Sequence, residues 1–322
     1  MHPPFLTAAF LFSVLGSASL HERSDRARAP SGCLTVGTSG NYTTIDAALG
    51  SLGSSTSDAC IFIESGVYHE QLTVDYAGRL TWYGETTEPD TYQENTVTIN
   101  HTISSPEAGS LAASATVNIK SDLFSMYNIN IVNGYGSGAQ AVALLANADQ
   151  IAFYGCQFLG YQDTLYARSG RQYYVKSKIE GAVDYIFGDA SAWITQCDIV
   201  SNGPGAITAS SRETTSDTAW YAIDHCNVQG TSGADLTAEV YLGRPWRILA
   251  RVIYQYSSLS DIINPKGWTT MAEGASPLYY EYNNTGAGSA TSEREYRSSI
   301  AAAVNTTTVL GEDFADWVDA GF

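Results

Sequence analysis

Cys156-Gln157-Phe158-Leu159-Gly160 and Ser177-Lys178-Ile179-Glu180-Gly181 are one phrase written twice, 21 residues apart. The phrase runs small or apolar, polar, aliphatic or aromatic, then usually another apolar residue, with glycine close behind. It recurs as Ile129-Asn130-Ile131-Val132, Cys197-Asp198-Ile199-Val200 and Cys226-Asn227-Val228-Gln229, with a weaker copy from Ser257. Successive starts lie 27, 21, 20 and 29 residues apart, and glycines follow at Gly134, Gly160, Gly181, Gly203 and Gly230, where a sharp turn is expected. A short alternating strand and a corner every 20 or so residues is what a β-solenoid requires. One coil cannot bury its inner face alone, but stacked coils ~4.8 Å apart share a continuous core. The longer intervals are coils that carry loops. A β-sandwich is the competing architecture, but Asn-Gly and Asp-Gly hairpin turns do not recur at regular spacing. The fold is therefore read as all-β, a solenoid.

The ends depart from the repeat. Tyr42 to Leu52 carries apolar residues at helical spacing behind Thr43 and Thr44, either of which can cap it. A helix there would close an otherwise open solenoid end and cover its strand edges. A further helix is expected around Phe314 to Val318 in the tail. No interdomain linker interrupts residues 32–322, which read as a single domain.

Before it, Phe5 to Leu15 is an apolar run and Gly16-Ser17-Ala18 offers small residues for cleavage, so residues 1–18 read as a secretion signal. Residues 19–31 read as a flexible lead-in or propeptide. Asn-x-Ser/Thr sequons at Asn41, Asn100, Asn283 and Asn305 agree with export and glycosylation. Five cysteines show no metal-binding spacing, and an odd number leaves at least one thiol unpaired within the chain. The formal net charge of -17 argues against nucleic acid and anionic membrane surfaces as partners. No segment after the signal is long and apolar enough to span a bilayer.

The repeat also places two acids. Asp163 follows Cys156 by seven residues and Asp184 follows Ser177 by seven, so both belong at one position of neighbouring coils, roughly 5 Å apart. Two carboxylates that close cannot both ionise cheaply. One pKa rises, and the pair divides into an acid and a base or nucleophile. Gln162 adjoins Asp163, and Gln140 lies in the preceding coil. Their amides are neutral donors suited to a developing oxyanion. Arg244, in Leu242-Gly243-Arg244-Pro245-Trp246, is the cation that would keep one aspartate ionised. Taken one at a time these residues also suit polar ladders, a turn cap and a surface ion pair. Their convergence is what favours a site.

Five segments in order, Gly66-Val67-Tyr68-His69-Glu70, Gln140-Ala141-Val142-Ala143-Leu144, Gln162-Asp163-Thr164-Leu165, Val183-Asp184-Tyr185-Ile186-Phe187-Gly188 and Leu242-Gly243-Arg244-Pro245-Trp246, resemble the pectin methylesterases, over residues 34 to 320. The resemblance implies a right-handed parallel β-helix and hydrolysis of galacturonate C6 methyl esters in pectin (homogalacturonan), without a metal or other cofactor. It implies Asp184 as nucleophile, Asp163 as general acid and then base, Gln140 and Gln162 as oxyanion donors, and Arg244 as the partner of Asp184. Phe187, Trp246 and Tyr166 would line the sugar groove, and His69 would be structural or at the rim. No region like the N-terminal inhibitor of plant members fits before residue 34, so the chain looks fungal in type, a secreted monomer. By analogy with plant members, Cys197 and Cys226 on adjacent coils can bridge. Cys33 and Cys60 flank the first strands and offer a second bridge, and Cys156 is left as a buried thiol. A glycoside hydrolase or lyase on the same solenoid, and a non-catalytic pectin-binding solenoid, are the alternatives. The glutamine pair and the absence of a denser acidic cluster weigh against them.

Overall fold

The repeated phrase builds one sheet. The structure, a computed structural model, describes residues 26–322. In it the strands Ile129–Asn133, Gln157–Leu159, Lys178–Gly181, Asp198–Ser201 and Asn227–Gly230 pair in parallel, and Asn130, Gln157, Lys178, Asp198 and Asn227 stack in register. Ser258–Leu259, the weak copy, extends the ladder by pairing Ser258 with Asn227. Each coil adds one strand to each of three parallel sheets, of ten, seven and eight strands. The chain is a right-handed parallel β-helix.

Alternation decides which residues fill it. Ile131, Phe158, Ile179, Ile199, Val228 and Leu259 form an inward column and are fully buried. Phe153 and Tyr174, on adjacent coils of the ten-stranded sheet, stack inside with ring centres 4.9 Å apart. Area removed from water along such columns supplies the main stabilising force, at about 25 cal/mol per Å².

The sharp backbone turn does not fall at the glycines that follow the phrase. It falls on the residue before it, where Asn128, Gly155, Lys176, Gln196, His225 and Tyr256 all have φ between 45° and 58°. The glycines behind the phrase are needed for space. A Cβ on Gly181 would lie 2.3 Å from Cβ of Tyr185, and one on Gly160 would lie 2.7 Å from Oγ1 of Thr164.

The cysteines pair differently from the expectation for the middle of the chain. Cys33 and Cys60 form a disulfide with Cα atoms 4.6 Å apart, while Cys156, Cys197 and Cys226 are buried free thiols. The expected Cys197–Cys226 bridge is absent. Both residues stand at the same place in the phrase, and each thiol bonds the carbonyl two residues back, Thr195 at 3.2 Å and Asp224 at 3.3 Å. Their side chains therefore run parallel instead of converging, and a disulfide needs convergent Cβ vectors. They belong to a small-residue ladder in which the Cys156 N–H donates to Ser177 Oγ, the Ser177 N–H to Cys197 Sγ, and the Cys226 N–H to Ser257 Oγ.

The first end is closed by a helix, Ile45–Leu52, capped by the Thr44 side chain. Glu70 adds two bonds, accepting from the N–H groups of Ile45 and Asp46 at 2.9 Å each, where a carboxylate also meets the positive end of the helix. Its neighbour His69 is exposed. The tail folds as a helix, Thr306–Leu310, and a single 3₁₀ turn, Phe314–Asp316. Val309, Leu310, Trp317 and Val318 bury against the outer face of the ten-stranded sheet. Residues 1–25, including the expected secretion signal, lie outside the described residues. The described part of the lead-in is anchored: the Arg26 guanidinium hydrogen-bonds Asn128 and lies over the Tyr83 and Tyr127 rings. Asn41, Asn283 and Asn305 are exposed and Asn100 is half-buried.

Candidate active site

With one outer face taken by the tail, the outer face of the seven-stranded sheet carries a second apolar patch. Leu165 and Ile186 point into the core, so their successors point out. Leu145, Tyr166, Phe187 and Ala209 stack in register on that outer side. The Tyr166 and Phe187 rings are stacked at 4.3 Å, and Trp246 closes over them at 6.2 Å and 5.8 Å. Phe187 is buried beneath the other two, so Tyr166 and Trp246 present the accessible faces. A loop between Val97–His101 and Val117–Ile119 supplies Leu111 and Ala112 as a wall. That loop holds two short helices, and the first, Ser105–Ala108, begins with a capping box between Ser104 and Glu107.

The aspartates stand at the corner that leads into this face. Gln162 bridges Val183 and Leu165 pairs with Ile186, so Asp163 and Asp184 occupy equivalent places on consecutive coils. Both adopt left-handed backbone, φ 64° and 50°, which non-glycine residues enter at a cost of order 1 kcal/mol or more. Bonds on either side hold them there, from the Asp163 N–H to the Val183 carbonyl at 3.0 Å and from the Asp184 N–H to the Ala206 carbonyl at 2.7 Å. Both side chains are largely buried, at 4 % and 6 % exposure.

The two carboxyls have different partners. Arg244, just past the strand Val240–Gly243, grips Asp184 with both arms of its fork, Nε to Oδ1 at 2.8 Å and Nη2 to Oδ2 at 2.6 Å. One coil lies between them, on which Ala206 accepts from the Asp184 N–H and Thr208 pairs with Gly243, and the guanidinium reaches back across it. Asp163 has no such clamp. Burial, and then the Asp184 charge beside it, push its carboxyl up to about 8, against the opposing pull of the Gln140 amide and of Arg244. One acid is thus paired with a cation, and its unclamped neighbour has its carboxyl pushed up into the neutral range.

Gln140, on the loop before Leu144–Asn147, is exposed, and its amide exerts a downward pull on the Asp163 carboxyl. Gln162 fixes its backbone by accepting from the Ala141 N–H at 3.0 Å, and its side chain is half-buried at the same corner. The structure thus brings Asp163, Asp184, Gln140, Gln162 and Arg244 to one end of an aromatic floor of Tyr166, Phe187 and Trp246. His69, exposed, adjoins Glu70 of the N-terminal closure and makes no contact with the aspartates among the hydrogen bonds and ion pairs of the described residues. Among the described residues no three His, Cys, Asp or Glu side chains are grouped to hold a metal ion. Two exposed arginines flank the floor and were not singled out in the sequence. Arg168 lies 5.9 Å from the Tyr166 ring centre and Arg247 5.6 Å from that of Trp246. The signal was legible only as an alternation, because Arg168 is two residues beyond Tyr166 on the same strand face.

Comparison with known proteins gives the family and the fold. Residues 33–315 match the family model described as Pectinesterase. A curated relative from Aspergillus flavus, named probable pectinesterase A, is 70% identical over 324 residues and covers 100% of both chains. The crystal structure of a pectin methylesterase from Aspergillus niger in deglycosylated form is 71% identical, with a TM-score of 0.92 over 93% of this chain and 100% of that one. Pectin methylesterase from carrot is 30% identical, with a TM-score of 0.82 over 91% of this chain and 97% of its own.

Proposed function

Because the chain belongs to the pectinesterase family, we propose that it hydrolyses the C6 methyl esters of galacturonate in homogalacturonan through an acyl-enzyme on Asp184. The observation that carries this reading is the unequal pair, Asp184 clamped by Arg244 and Asp163 buried beside it without a clamp, its carboxyl pushed up to about 8.

Each Asp184 oxygen accepts one bond from Arg244 and keeps a lone pair. One of them attacks the ester carbonyl carbon, and the oxyanion that forms accepts from the Gln140 and Gln162 amides. As the tetrahedral adduct collapses, the carbon–methoxy bond breaks and Asp163 gives its proton to the departing oxygen, releasing methanol. The product is an anhydride between Asp184 and the sugar carboxyl. Asp163, now a carboxylate, takes a proton from water as that water attacks the anhydride carbonyl. The acyl bond breaks, Asp184 is regenerated, Asp163 regains its proton, and the new uronic acid releases its own to solvent. Tyr166 and Trp246 hold the sugar rings flat against their faces, with Phe187 supporting them from below.

The protein acts outside the cell as a monomer, exported through the segment 1–18 and bearing sugars at its sequons. Methanol release from methylated pectin tests the chemistry. Asp184→Asn keeps the shape and removes the nucleophile, so release falls by at least about 10³-fold while the protein remains folded. New reducing ends or unsaturated sugars without methanol would overturn the assignment in favour of a hydrolase or lyase of the glycosidic bond.

A further inference from the structure

The corner between the ten- and eight-stranded sheets lies away from the seven-stranded sheet and its aromatic floor, and the esterase chemistry makes no use of it. Asp224, Gln255 and Tyr282 stack in register at the end of the ten-stranded sheet. The residue after each turns the corner in left-handed backbone: His225, Tyr256 and Asn283, with φ 49°, 51° and 49°. The His225 N–H donates to the Gln255 carbonyl at 3.1 Å and the Tyr256 N–H to the Tyr282 carbonyl at 2.9 Å. Consecutive corners therefore sit one strand spacing apart, about 4.8 Å, and the same backbone on each coil sends the three side chains outward side by side.

Two of the three are rings. His225 and Tyr256 stack with ring centres 5.0 Å apart, and Tyr282 meets Tyr256 edge-on at 5.6 Å. The imidazole is oriented by Asp224, 2.9 Å from its Nδ1, and the Asp224 carboxyl is itself fixed by the Thr195 hydroxyl and the Gln255 amide. Tyr256 is thus held in place, yet it keeps 41 % of its surface exposed. A rigid, half-open aromatic face takes the C–H side of a sugar ring, apolar against apolar. The third member of the column supplies the sugar. Asn283 opens the sequon Asn283-Asn284-Thr285 and is exposed. Its neighbour Asn284 is committed to the backbone, accepting from the Ser257 N–H at 3.0 Å and donating to the Tyr254 carbonyl at 2.9 Å. Asn41 and Asn305 stand apart from this column, Asn41 bonded by Thr35 and Asn305 capping the helix Thr306–Leu310.

We propose that the glycan on Asn283 is a structural part of the protein, its first N-acetylhexosamine packed on the Tyr256 ring. The inference rests on the export reading above. Along that route a bond forms between Asn283 Nδ2 and C1 of the sugar, the bond from C1 to a lipid-diphosphate donor breaks, and the amide proton and the lipid diphosphate depart. The sugar is neutral, so the charge of -17 that repels a polyuronide does not oppose its packing.

The test uses the full chain secreted from a filamentous fungus. Mass mapping of peptides reads the occupancy of each sequon, and peptide N-glycosidase acting on the folded protein reads how firmly the Asn283 glycan is held. Tyr256→Ala should speed its release about 5- to 10-fold, while Tyr256→Phe, which keeps the ring, should leave the rate as it is. Asn283→Gln should lower the melting temperature by about 2 °C. Tyr256→Ala should then cost less in that background than in the glycosylated protein, because its partner is already gone. Methanol release from pectin should be the same in all of them. A secreted protein unmodified at Asn283 overturns the inference, and so does a release rate that Tyr256→Ala leaves unchanged. A chain retained in the cell with no sequon modified overturns the export reading instead, an outcome distinct from both.

Discussion

At Asp163 burial and a neighbouring charge outweigh an amide and a guanidinium, and the balance fixes both a rate and a stability. Its carboxyl is pushed up to about 8 from an ordinary 3.8. The first chemical step uses its proton, so kcat/KM falls as pH rises through about 8, and a rate profile locates that limb. A limb that is absent, or that survives unchanged in Asp163→Asn with residual activity, would remove it as the acid. The same shift has a sign for folding. Below about 3.8 both folded and unfolded chains hold the proton. Between about 3.8 and about 8 the unfolded chain has released it and the folded one has not, so the group costs stability as pH rises, by up to about 1.4 kcal/mol per unit. Above both values the cost is constant. Asp163→Asn, neutral throughout, therefore gains in melting temperature relative to the unaltered protein between about pH 4 and pH 8. A constant difference across that range would contradict the burial argument.

At the scale of the coil, the glycine after each phrase serves packing. Gly181→Ala would bring a Cβ to 2.3 Å from Tyr185 Cβ, an atom that moves only with its backbone, whereas Gly160→Ala meets a hydroxyl at 2.7 Å that can rotate. Denaturant midpoints should rank the two, with Gly181→Ala losing about 3 kcal/mol and Gly160→Ala about 1 kcal/mol. Because Tyr185 adjoins Asp184, the first should also depress methanol release beyond its effect on folding. Similar losses for both would show that the coil absorbs the clash. What the sequence made legible follows from the same mechanics. Inward Phe158, Ile179 and Ile199 had to be apolar, so the phrase fixed the register, and the register put Asp163 beside Asp184. The left-handed corner was not legible, since Lys176, Gln196 and His225 share that backbone and no chemistry. The Cys197–Cys226 bridge was misjudged because stacking at one position was read as proximity, without the parallel direction that prevents bonding. The capping box from Ser104 to Glu107 is written plainly in a stretch to which the sequence reading assigned no element.

At the scale of the whole molecule the electrostatics act at long range. A net charge of -17 repels a polymer that gains a negative charge with each ester removed, and that repulsion reaches about 30 Å at 0.01 M salt but only about 8 Å at 0.15 M. Product would accordingly be released between events instead of being processed in long runs. Methanol release from partly de-esterified pectin should therefore rise as salt is added, because the long-range repulsion is screened. Fully methylated pectin, with few charges, should show no such rise. A rate on partly de-esterified pectin that only falls from the lowest salt would mean that attraction at the groove dominates at every range. Long contiguous de-esterified blocks in the product at low salt would then be expected, and finding them would refute the view that the net charge governs release.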